Sequence, residues 1–341
     1  MTRSSTDDRL DLPSASLRML KFRANLLKSI RAFFDDEGHF EVETPLMSHD
    51  VVIDANLEPI EIEETRIQSA SDSGALFLQT SPEFAMKRML AAGAVAIYQI
   101  THAFRDEEWG NFHNPEFSML EWYRIGISYF DQMNFVELLI NNLVTKLGDR
   151  KNFEISQPFE RLRYDDAFKK YAGTGILHLD CIDLKALAME HDLKPPESFS
   201  NEEPDDWRNY LLAELVEPNL GKHIPTFLYE YPASQAALAT VKKDEFPVAE
   251  RFELYRNGLE ICNGYQELTD VEELLRRQDE QNQLRVRQGK RELPTENFLS
   301  QAMQRGLPEC SGVALGIDRL AMWLTGAQTI AEVIAFPFDR C

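Results

Sequence analysis

Paired cysteines and long apolar runs are both missing from this 341-residue sequence. The four cysteines stand far apart and form no CxxC pair, so neither a zinc site nor a disulfide framework is indicated. Free thiols in a reducing cytosol are therefore expected. No apolar run approaches the roughly 18 residues of a membrane span. The polar N-terminus has no apolar signal core, so we expect a cytoplasmic protein that does not bind membranes.

Basic residues are scarce as well, since 36 lysines and arginines face 57 aspartates and glutamates and leave a formal net charge of −21. Proteins that bind long nucleic acids need basic surface to displace counterions, so stable tRNA binding is not expected. A local basic strip is a candidate exception, although acids interleave with it and the solvated face of a charged helix explains it more simply. The strip consists of Arg276, Arg277, Arg285, Arg287, Lys290 and Arg291.

The apolar residues that are present, in a chain that is 43% hydrophobic, predict a large core. Residues 17–37 repeat apolar side chains at helical spacing. Ser14 or Ser16 could cap this helix, and Gly38 suits the position just after its end. The following segment, HFEVETPLM, alternates and is predicted as an extended strand that proline stops.

Strand-like segments joined by turn signals dominate the rest of the chain. Asn257-Gly258 separates two of them and favours a two-residue hairpin turn. The predicted strands cover residues 74–81, 94–104, 116–124, 226–232, 249–258 and 259–268. Further helices are predicted over about residues 130–147, 207–220 and 269–288. This pattern predicts one α+β domain, residues 1–341, with a mainly antiparallel sheet flanked by helices and residues 1–16 as a tail.

The segment FRDEEWGNFHNPEF, residues 104–117, combines an arginine, several acids and aromatic rings between two predicted strands. A guanidinium can bind a phosphate through two parallel hydrogen bonds. A carboxylate can accept from an adenine amino group, and a ring can stack on the base. The segment is therefore a candidate nucleotide clamp, although an exposed hairpin with ordinary ion pairs would have the same composition.

Two later segments carry candidate metal and phosphate ligands. In RFELYRNGLEICNGYQELTD, Glu253 and Glu260 can approach each other across the hairpin, where Mg²⁺ bridging to phosphates would relieve their repulsion. In SGVALGIDRLAMWL, Gly312 and Gly316 permit close backbone approach, and Arg319 lies in the first helical turn, within reach of a terminal phosphate. Acids on a solvent face and a structural ion pair are the alternatives. No GxGxxG dinucleotide fingerprint is present.

Taken together and in this order, FEVETP, FRDEE…HNPEF and GVALGIDRL resemble motifs 1, 2 and 3 of class II aminoacyl-tRNA synthetases. LEWYR and NGYQELTD further resemble the lysyl-tRNA synthetase branch, and the likeness covers about residues 17–341. The resemblance implies the catalytic core of that family and ATP-dependent activation of an amino-acid carboxylate with Mg²⁺. It also implies a homodimer formed through the motif 1 helix and strand.

The resemblance also implies roles for individual residues. Arg105 and Arg319 would be catalytic, holding the α- and γ-phosphates, while Glu107 and Asn114 would contact adenine or its ribose-phosphate and Phe117 would stack on the base. The ATP-binding positions would be Arg105, Asp106, Glu107, His113, Asn114, Phe117, Glu260, Ile261, Gly316 and Arg319. Mg²⁺ would be bound by Glu253 and Glu260. The lysine-type amino-acid pocket would be formed by Ser81, Pro82, Glu83, Glu121, Tyr123, Asn263, Tyr265, Glu267 and Ala314. Several acids suit a substrate with two ammonium groups, because buried carboxylates need cationic partners.

The acceptor of the activated amino acid is a separate question. Lysyl-tRNA synthetases carry an anticodon-binding barrel before the core, whereas only residues 1–16 precede the first predicted helix. With the acidic charge, this favours the short paralogues of that branch, which join lysine or (R)-β-lysine to a lysine side chain of elongation factor P. Ser81 and Ala314 stand where lysyl-tRNA synthetases usually carry alanine and glycine, and the ending IAEVIAFPFDR also resembles the paralogues. A minimal tRNA-charging core and a non-catalytic, synthetase-like regulator remain alternatives.

We expect the Arg319→Ala variant to lose amino-acid-dependent exchange of pyrophosphate into ATP by roughly 10²–10³-fold or more, because a charge that stabilises the phosphates is removed. Its thermal unfolding midpoint should stay close to that of the unaltered protein. Full exchange activity in the variant would contradict the assignment of the phosphate site. Absence of exchange in the unaltered protein would favour the regulator.

Overall fold

A computed structural model describes residues 10–62, 75–106, 108–147, 158–196, 199, 203–243, 245–295 and 297–341. In these ranges the α-helices are α1 (Leu17–Asp36), α2 (Glu83–Ala91), α3 (Tyr129–Leu147), α4 (Tyr164–Ala172), α5 (Cys181–Glu190), α6 (Pro204–Leu211), α7 (Val271–Arg287), α8 (Phe298–Gln304) and α9 (Ile317–Thr325). The strands are β1 (Phe40–Glu41), β2 (Met47–Ser48), β3 (Glu61–Ile62), β4 (Leu76–Leu78), β5 (Ala96–Phe104), β6 (Glu116–Ile125), β7 (Glu160–Arg163), β8 (Thr226–Pro232), β9 (Val241–Lys242), β10 (Val248–Arg256), β11 (Leu259–Gln266) and β12 (Cys310–Gly316). None of these helices combines the length and apolarity that crossing a membrane requires.

The main sheet has the strand order β1-β5-β6-β12-β11-β10-β8-β7, with β9 added to β10. Every pairing from β5 to β8 in this order is antiparallel. Only the two edge pairs of the order, β1 with β5 and β7 with β8, are parallel among the described strands. The predicted α+β class with a mainly antiparallel sheet is therefore confirmed. A small second sheet has the order β2-β4-β3.

One face of the main sheet is apolar and packs under α1, α3 and α9. Phe34 of α1 stacks on Tyr98 of β5 with ring centroids 4.6 Å apart, and Trp122 of β6 is fully buried beside them. Alternate residues of a strand point to opposite faces. Glu121 and Tyr123, the neighbours of Trp122, therefore point to the other face of the sheet.

Two groups of helices stand on that other face. The helices α4, α5 and α6 enclose an apolar cluster that includes Leu228, Tyr231 and Tyr255 of the sheet. The helices α2, α7 and α8 enclose a second cluster that includes Ile97 and Tyr123. The strands between the two groups carry most of the polar residues that are predicted to form the active site.

Local signals for helix ends and turns are confirmed at several positions. Ser16 caps α1, since its hydroxyl accepts the Met19 N–H at 3.2 Å, and Gly38 follows the helix with φ +77°. Asn257 and Gly258 both have positive φ, +52° and +74°. A type I′ hairpin turn requires positive φ at both central residues.

Two predicted elements differ from the structure. The segment HFEVETPLM contributes only β1 and the first residue of β2, separated by residues without regular structure around Pro45, which has no N–H for a ladder. The helix predicted over residues 207–220 ends at Leu211 and continues as a π-helical turn, Leu212–Val216, and a short 3₁₀ turn. Pro218 explains the change, because its ring is incompatible with the carbonyl of an α-helical turn before it.

The basic strip of residues 276–291 is occupied by ion pairs and carbonyl contacts. Arg276 pairs with two glutamates of its own helix. Arg285 is fully buried and pairs with Glu58, while Arg291 pairs with Glu61. The other members of the strip have similar partners. The structure therefore favours a charged helix face and its neighbours over a free basic surface for nucleic acid.

Gly264 of β11 lies where a side chain would strike the core. A Cβ atom there would be 2.5 Å from the Phe252 ring and 2.9 Å from Val313 Cγ2. We expect Gly264→Ala to lower the free energy of unfolding by about 1–3 kcal/mol, because overpacking forces neighbours out of place. Gly110→Ala is the control, since no atom of the described residues lies within 4 Å of that Cβ. Denaturant unfolding measures both, and equal stability of the two variants would contradict the packing.

Candidate active site

The register of the main sheet brings four predicted positions into one row. Glu121 of β6 pairs with Ala314 of β12, Ala314 pairs with Asn263 of β11, and Asn263 pairs with Glu253 of β10. Directly paired residues point to the same face, and neighbouring strands lie about 4.8 Å apart. The four side chains therefore form a line of roughly 14 Å across the face between the two helix groups.

A second row lies two residues further along the strands and includes Tyr123, Gly312, Tyr265 and Arg251. Gly312 is required by its neighbours, because a Cβ atom there would be 2.2 Å from the Tyr123 ring and 2.6 Å from Glu267 Oε1. The absent side chain lets an aromatic ring and a carboxylate meet directly above β12.

Arg105 begins the hairpin loop between β5 and β6. Its N–H donates to the Pro115 carbonyl at 2.9 Å, which closes the base of the loop. Its guanidinium lies 5.0 Å from the centroid of the Phe117 ring and 3.3 Å from Glu108 Oε1. The cation–π contact and the ion pair hold the guanidinium over the face of the sheet.

Arg319, in the first turn of α9, connects three parts of the site. Its NH1 group lies 3.0 Å from the Glu260 carbonyl and 3.3 Å from Glu260 Oε2, and its NH2 group lies 2.7 Å from His113 Nε2. Desolvation of the ring and the Arg319 charge lower the pKa of His113, so the neutral ring can accept this hydrogen bond. The two arginines predicted to hold phosphates therefore lie close to the same hairpin loop. Arg105 belongs to the loop, and Arg319 of α9 contacts its His113.

The start of α9 is fixed by a buried ion pair. Asp318 lies 2.6 Å from Arg23 of α1, and its other oxygen accepts the Ser118 N–H of β6 at 2.8 Å. Arg23 also donates to the Ser118 hydroxyl at 2.8 Å. This network joins α1, β6 and α9 directly beside Arg319, so it orients the residue that the resemblance makes catalytic.

Asn114 is buried, and both ends of its amide have protein partners. Its Nδ2 donates to the Glu116 carbonyl at 2.6 Å, and its Oδ1 accepts the Phe338 N–H at 2.9 Å. Trp109 packs edge-on against Phe338 with centroids 5.8 Å apart. In this arrangement the Asn114 side chain holds the hairpin against the C-terminal turn. A nucleotide would therefore contact the Asn114 backbone and not its side chain.

The Glu253 carboxylate is surrounded by donors. The Tyr231 and Tyr255 hydroxyls each lie 2.6 Å from its Oε2 atom, and Arg251 contacts its Oε1 atom. Tyr255 also lies 3.1 Å from Glu217 Oε1. Glu253 is therefore held rigidly at the centre of a polar group that joins β8, β10 and the turn after α6.

Glu217, Glu253 and Glu260 form an acidic group near Arg319. Desolvation and the Glu253 charge raise the pKa of Glu217 to about 7 and also raise that of Glu260. In the part of the chain that the structure describes, no three His, Cys, Asp or Glu side chains are arranged to hold a metal by themselves. Mg²⁺ commonly takes one or two carboxylates and completes its shell with phosphates and water. The group therefore fits Mg²⁺ bound with phosphates, and Glu260 is the more available ligand.

Glu121 lies at the opposite end of the site, beneath α2. Tyr123 donates to its Oε1 at 2.5 Å and Ser81 donates to its Oε2 at 2.9 Å. The Ser81 hydroxyl also accepts the Glu83 N–H at 3.0 Å, which ties this group to the start of α2. Ser81 therefore has a defined role in orienting a buried carboxylate.

Glu83 and Glu267 share one cation, the ammonium group of Lys87. Its Nζ atom lies 2.5 Å from Glu83 Oε1 and 2.5 Å from Glu267 Oε2. With Glu121, the pocket holds three buried carboxylates. Desolvation and the nearby Glu83 charge raise the pKa of Glu121 to about 8, and desolvation likewise raises that of Glu267 to about 8 despite Lys87. A cationic ligand would favour the ionised form of both groups.

The remaining predicted site residues are Gly316, Pro82, Ile261, Asp106 and Glu107. Gly316 precedes α9 as its N-cap, and Pro82 stands at the start of α2. The Ile261 side chain lies in the core on the other face, so only its backbone faces a ligand. Asp106 lies in the turn that begins the hairpin loop, and Glu107 lies outside the described residues.

Several side chains of the site were not singled out from the sequence. Lys87 follows Glu83 by four residues in α2, and Arg251 precedes Glu253 by two in β10, so spacing on a helix and a strand could have indicated both. Tyr255 follows Glu253 by two residues in β10 and could have been indicated in the same way, whereas Tyr231 reaches Glu253 from β8 and no local sequence signal indicates that contact.

Comparison with known proteins gives a consistent result. Residues 9–340 match the family described as class II tRNA synthetases of the D, K and N types. Proteins named elongation factor P–(R)-β-lysine ligase from Salmonella arizonae and Salmonella dublin are 42% and 43% identical to this chain over 330 residues. Those matches cover 96% of this chain and 97% of each relative. The chain therefore belongs to the class II aminoacyl-tRNA synthetase family, as its three ordered motifs predicted.

Proposed function

We propose that this enzyme activates (R)-β-lysine, or lysine, with ATP as an acyl-adenylate and transfers it to a lysine side chain of elongation factor P. The relatives at 42–43% identity carry the name of that ligase. The observation that carries the proposal is the sorting of charge on one sheet face, with buried carboxylates at one end and two arginines at the other. ATP is the co-substrate that the class II synthetase family uses.

The acidic end accounts for the amino acid. Glu83, Glu121 and Glu267 are buried and supply three carboxylates, whereas Lys87 supplies one cation. A lysine-type substrate adds two ammonium groups, which compensate buried negative charge that would otherwise be costly. Its carboxylate would then point along the strands towards Arg105.

The arginine end accounts for the phosphates. In the proposed first step, the substrate carboxylate oxygen attacks the α-phosphorus in line, the bond to the β-phosphate oxygen breaks, and pyrophosphate leaves. The attacking carboxylate is already ionised, so no protein base is needed. Arg105 and Arg319 position the triphosphate and stabilise charge on it as the bond to the leaving group lengthens. Mg²⁺ held by Glu260 and Glu253 would neutralise phosphate charge during this step.

In the proposed second step, the ε-amine of the acceptor lysine attacks the acyl carbon. The mixed anhydride bond breaks, AMP leaves with the bonding electron pair, and the amine loses a proton as the amide forms. An acceptor side chain has to reach the carbonyl near Arg105, which lies at the base of the hairpin loop. The same chemistry with a tRNA hydroxyl as acceptor is the alternative within the family.

The choice of a protein acceptor over tRNA rests on charge and on the relatives. The chain has a formal net charge of −21, and the basic strip at residues 276–291 is engaged in ion pairs. Counterion release therefore offers little affinity for a long polyanion. A cytoplasmic location is part of the proposal. The Arg105 and Arg319 geometry speaks against a non-catalytic regulator.

A homodimer through α1 and the strand that follows it also belongs to the proposal. Phe40 of β1 and Met47 of β2 are 54% and 49% exposed, and Leu46 between them is 43% exposed. Large apolar side chains grouped in this way are typical of protein–protein contacts. Burial of this edge against a second copy would cover them.

We expect the KM for the amino acid to fall as pH rises from about 6 to 8. At pH 6, Glu121 and Glu267, whose pKa values are each about 8, are largely protonated and attract ammonium groups weakly. Ionisation restores the attraction, by up to about tenfold in KM per pH unit for each proton released. Pyrophosphate exchange at varied amino-acid concentration measures this, and Glu121→Gln should flatten the profile. A KM that is constant across this range would contradict the proposed pocket.

We expect labelled (R)-β-lysine, supplied with ATP, to become attached to elongation factor P and not to tRNA. The two acceptors are tested in parallel under the same conditions, with the Arg319→Ala variant as the control for adenylate formation. Label that is stable to mild alkali and travels with the protein indicates an amide. Label on tRNA alone would contradict the assignment of a protein acceptor, but it would still support the proposed activation of the amino acid.

A further inference from the structure

Lys87 is a buried cation inside the amino-acid pocket. The proposed mechanism gives it no role in either reaction step. Its side chain is 2% exposed, and its ammonium group lies 2.5 Å from both Glu83 and Glu267. One partner lies one helical turn earlier in α2, and the other follows the end of β11. The ammonium group therefore joins α2, which begins at Glu83 just after Ser81, to the end of β11, the strand that carries Asn263 and Tyr265.

The ammonium group remains charged in this setting. Burial alone would lower the pKa of Lys87, but the Glu267 and Glu83 charges raise it above its ordinary value. The titratable groups around this ammonium group and its carboxylate partners come from α2, β6, β11 with the residue after it, and β12. They are Glu83, Glu121, Tyr123, Tyr265, Glu267 and Cys310. Arg251 lies 5.8 Å from the centroid of the Tyr265 ring, but it pairs with Glu253.

The second oxygens of the paired carboxylates remain for a ligand. Lys87 contacts Glu83 through Oε1 and Glu267 through Oε2. Glu267 Oε1 lies beside Gly312, whose missing side chain makes room for this carboxylate and the Tyr123 ring. Three carboxylates and one ammonium group leave two negative charges when all are ionised, which matches a substrate that brings two ammonium groups.

We propose that Lys87 is a positioning residue that sets the charge of the amino-acid pocket and thereby selects substrates with two ammonium groups. Lys87 contacts both Glu83 and Glu267 and so fixes the two carboxylates in one orientation, and its charge offsets part of theirs. This inference rests on the proposed function, because it concerns the same pocket. A lysine that only ties α2 to the sheet would affect stability and leave selectivity and its pH dependence unchanged.

The test uses Lys87→Met, which keeps the length of the side chain and removes its charge. Pyrophosphate exchange is measured from pH 6.5 to 9 with (R)-β-lysine and with 3-aminohexanoic acid, which lacks the side-chain ammonium group. We expect KM for (R)-β-lysine to rise about tenfold or more near pH 7.5 with kcat changed less than about threefold. The midpoint of the KM profile should move up by about one pH unit, because the uncompensated acids keep their protons longer. Discrimination against 3-aminohexanoic acid should shrink.

Two further variants make the result decisive. Arg88→Met is the matched control, since Arg88 is the next residue of α2, is 43% exposed and lies 3.9 Å from Asp50 outside the pocket. Lys87→Met combined with Glu267→Gln removes one positive and one negative charge. With all groups ionised, the net charge of the pocket is then −2, as in the unaltered enzyme. We expect this double variant to return the KM midpoint towards that of the unaltered enzyme, and it remains informative if the single variant does not fold.

The outcomes distinguish a failure of the proposed function from a failure of the proposed role of Lys87. No exchange with (R)-β-lysine in the unaltered enzyme would remove the proposed function itself. Normal exchange, with an unchanged pH profile and unchanged discrimination in Lys87→Met, would overturn the role of Lys87 alone. A double variant whose midpoint stays shifted would also overturn it, because charge balance would then not be the cause.

Discussion

Antiparallel pairing of β6, β12, β11 and β10 in one register determines where the residues of the proposed active site lie. Glu121, Ala314, Asn263 and Glu253 belong to four different strands, and the pairing of those strands places them side by side. A shift of one residue in any of these pairs would turn its side chains to the opposite face, into the core under α1, α3 and α9. The apolar residues between them prevent such a shift, so the core on one face maintains the site on the other.

Positive and negative charges lie at different ends of that face, and burial strengthens their interactions because it removes the screening by water. Arg105 and Arg319 lie near the hairpin loop, while Glu121 and Glu267 lie beneath α2. In water these charges would be screened, but in a desolvated site each needs a specific partner. The protein supplies some partners itself, as Arg251 does for Glu253, and leaves others to the ligand. In the proposed function, the buried carboxylates that outnumber the nearby cations are the groups that bind the ammonium groups of the substrate.

Local sequence signals predicted much of this structure. Asn257-Gly258 gave the correct hairpin, and the three motifs indicated the correct family, because turn chemistry and short motifs depend on neighbouring residues. The helix break before Pro218 was missed, since apolar spacing alone suggested a continuous helix. The contact of Asn114 with Phe338 joins residues 224 positions apart, and spacing along the chain carries no information about such a meeting.

The close approach at Gly312 has a consequence for how this site can change over evolutionary time. A side chain at position 312 would overlap the Tyr123 ring and crowd Glu267. A mutation at any one of the three positions is therefore constrained by the other two, although they lie on different parts of the chain. Related proteins with a different amino acid in the pocket should show these positions replaced as a set, because single steps pass through an overpacked or poorly filled intermediate.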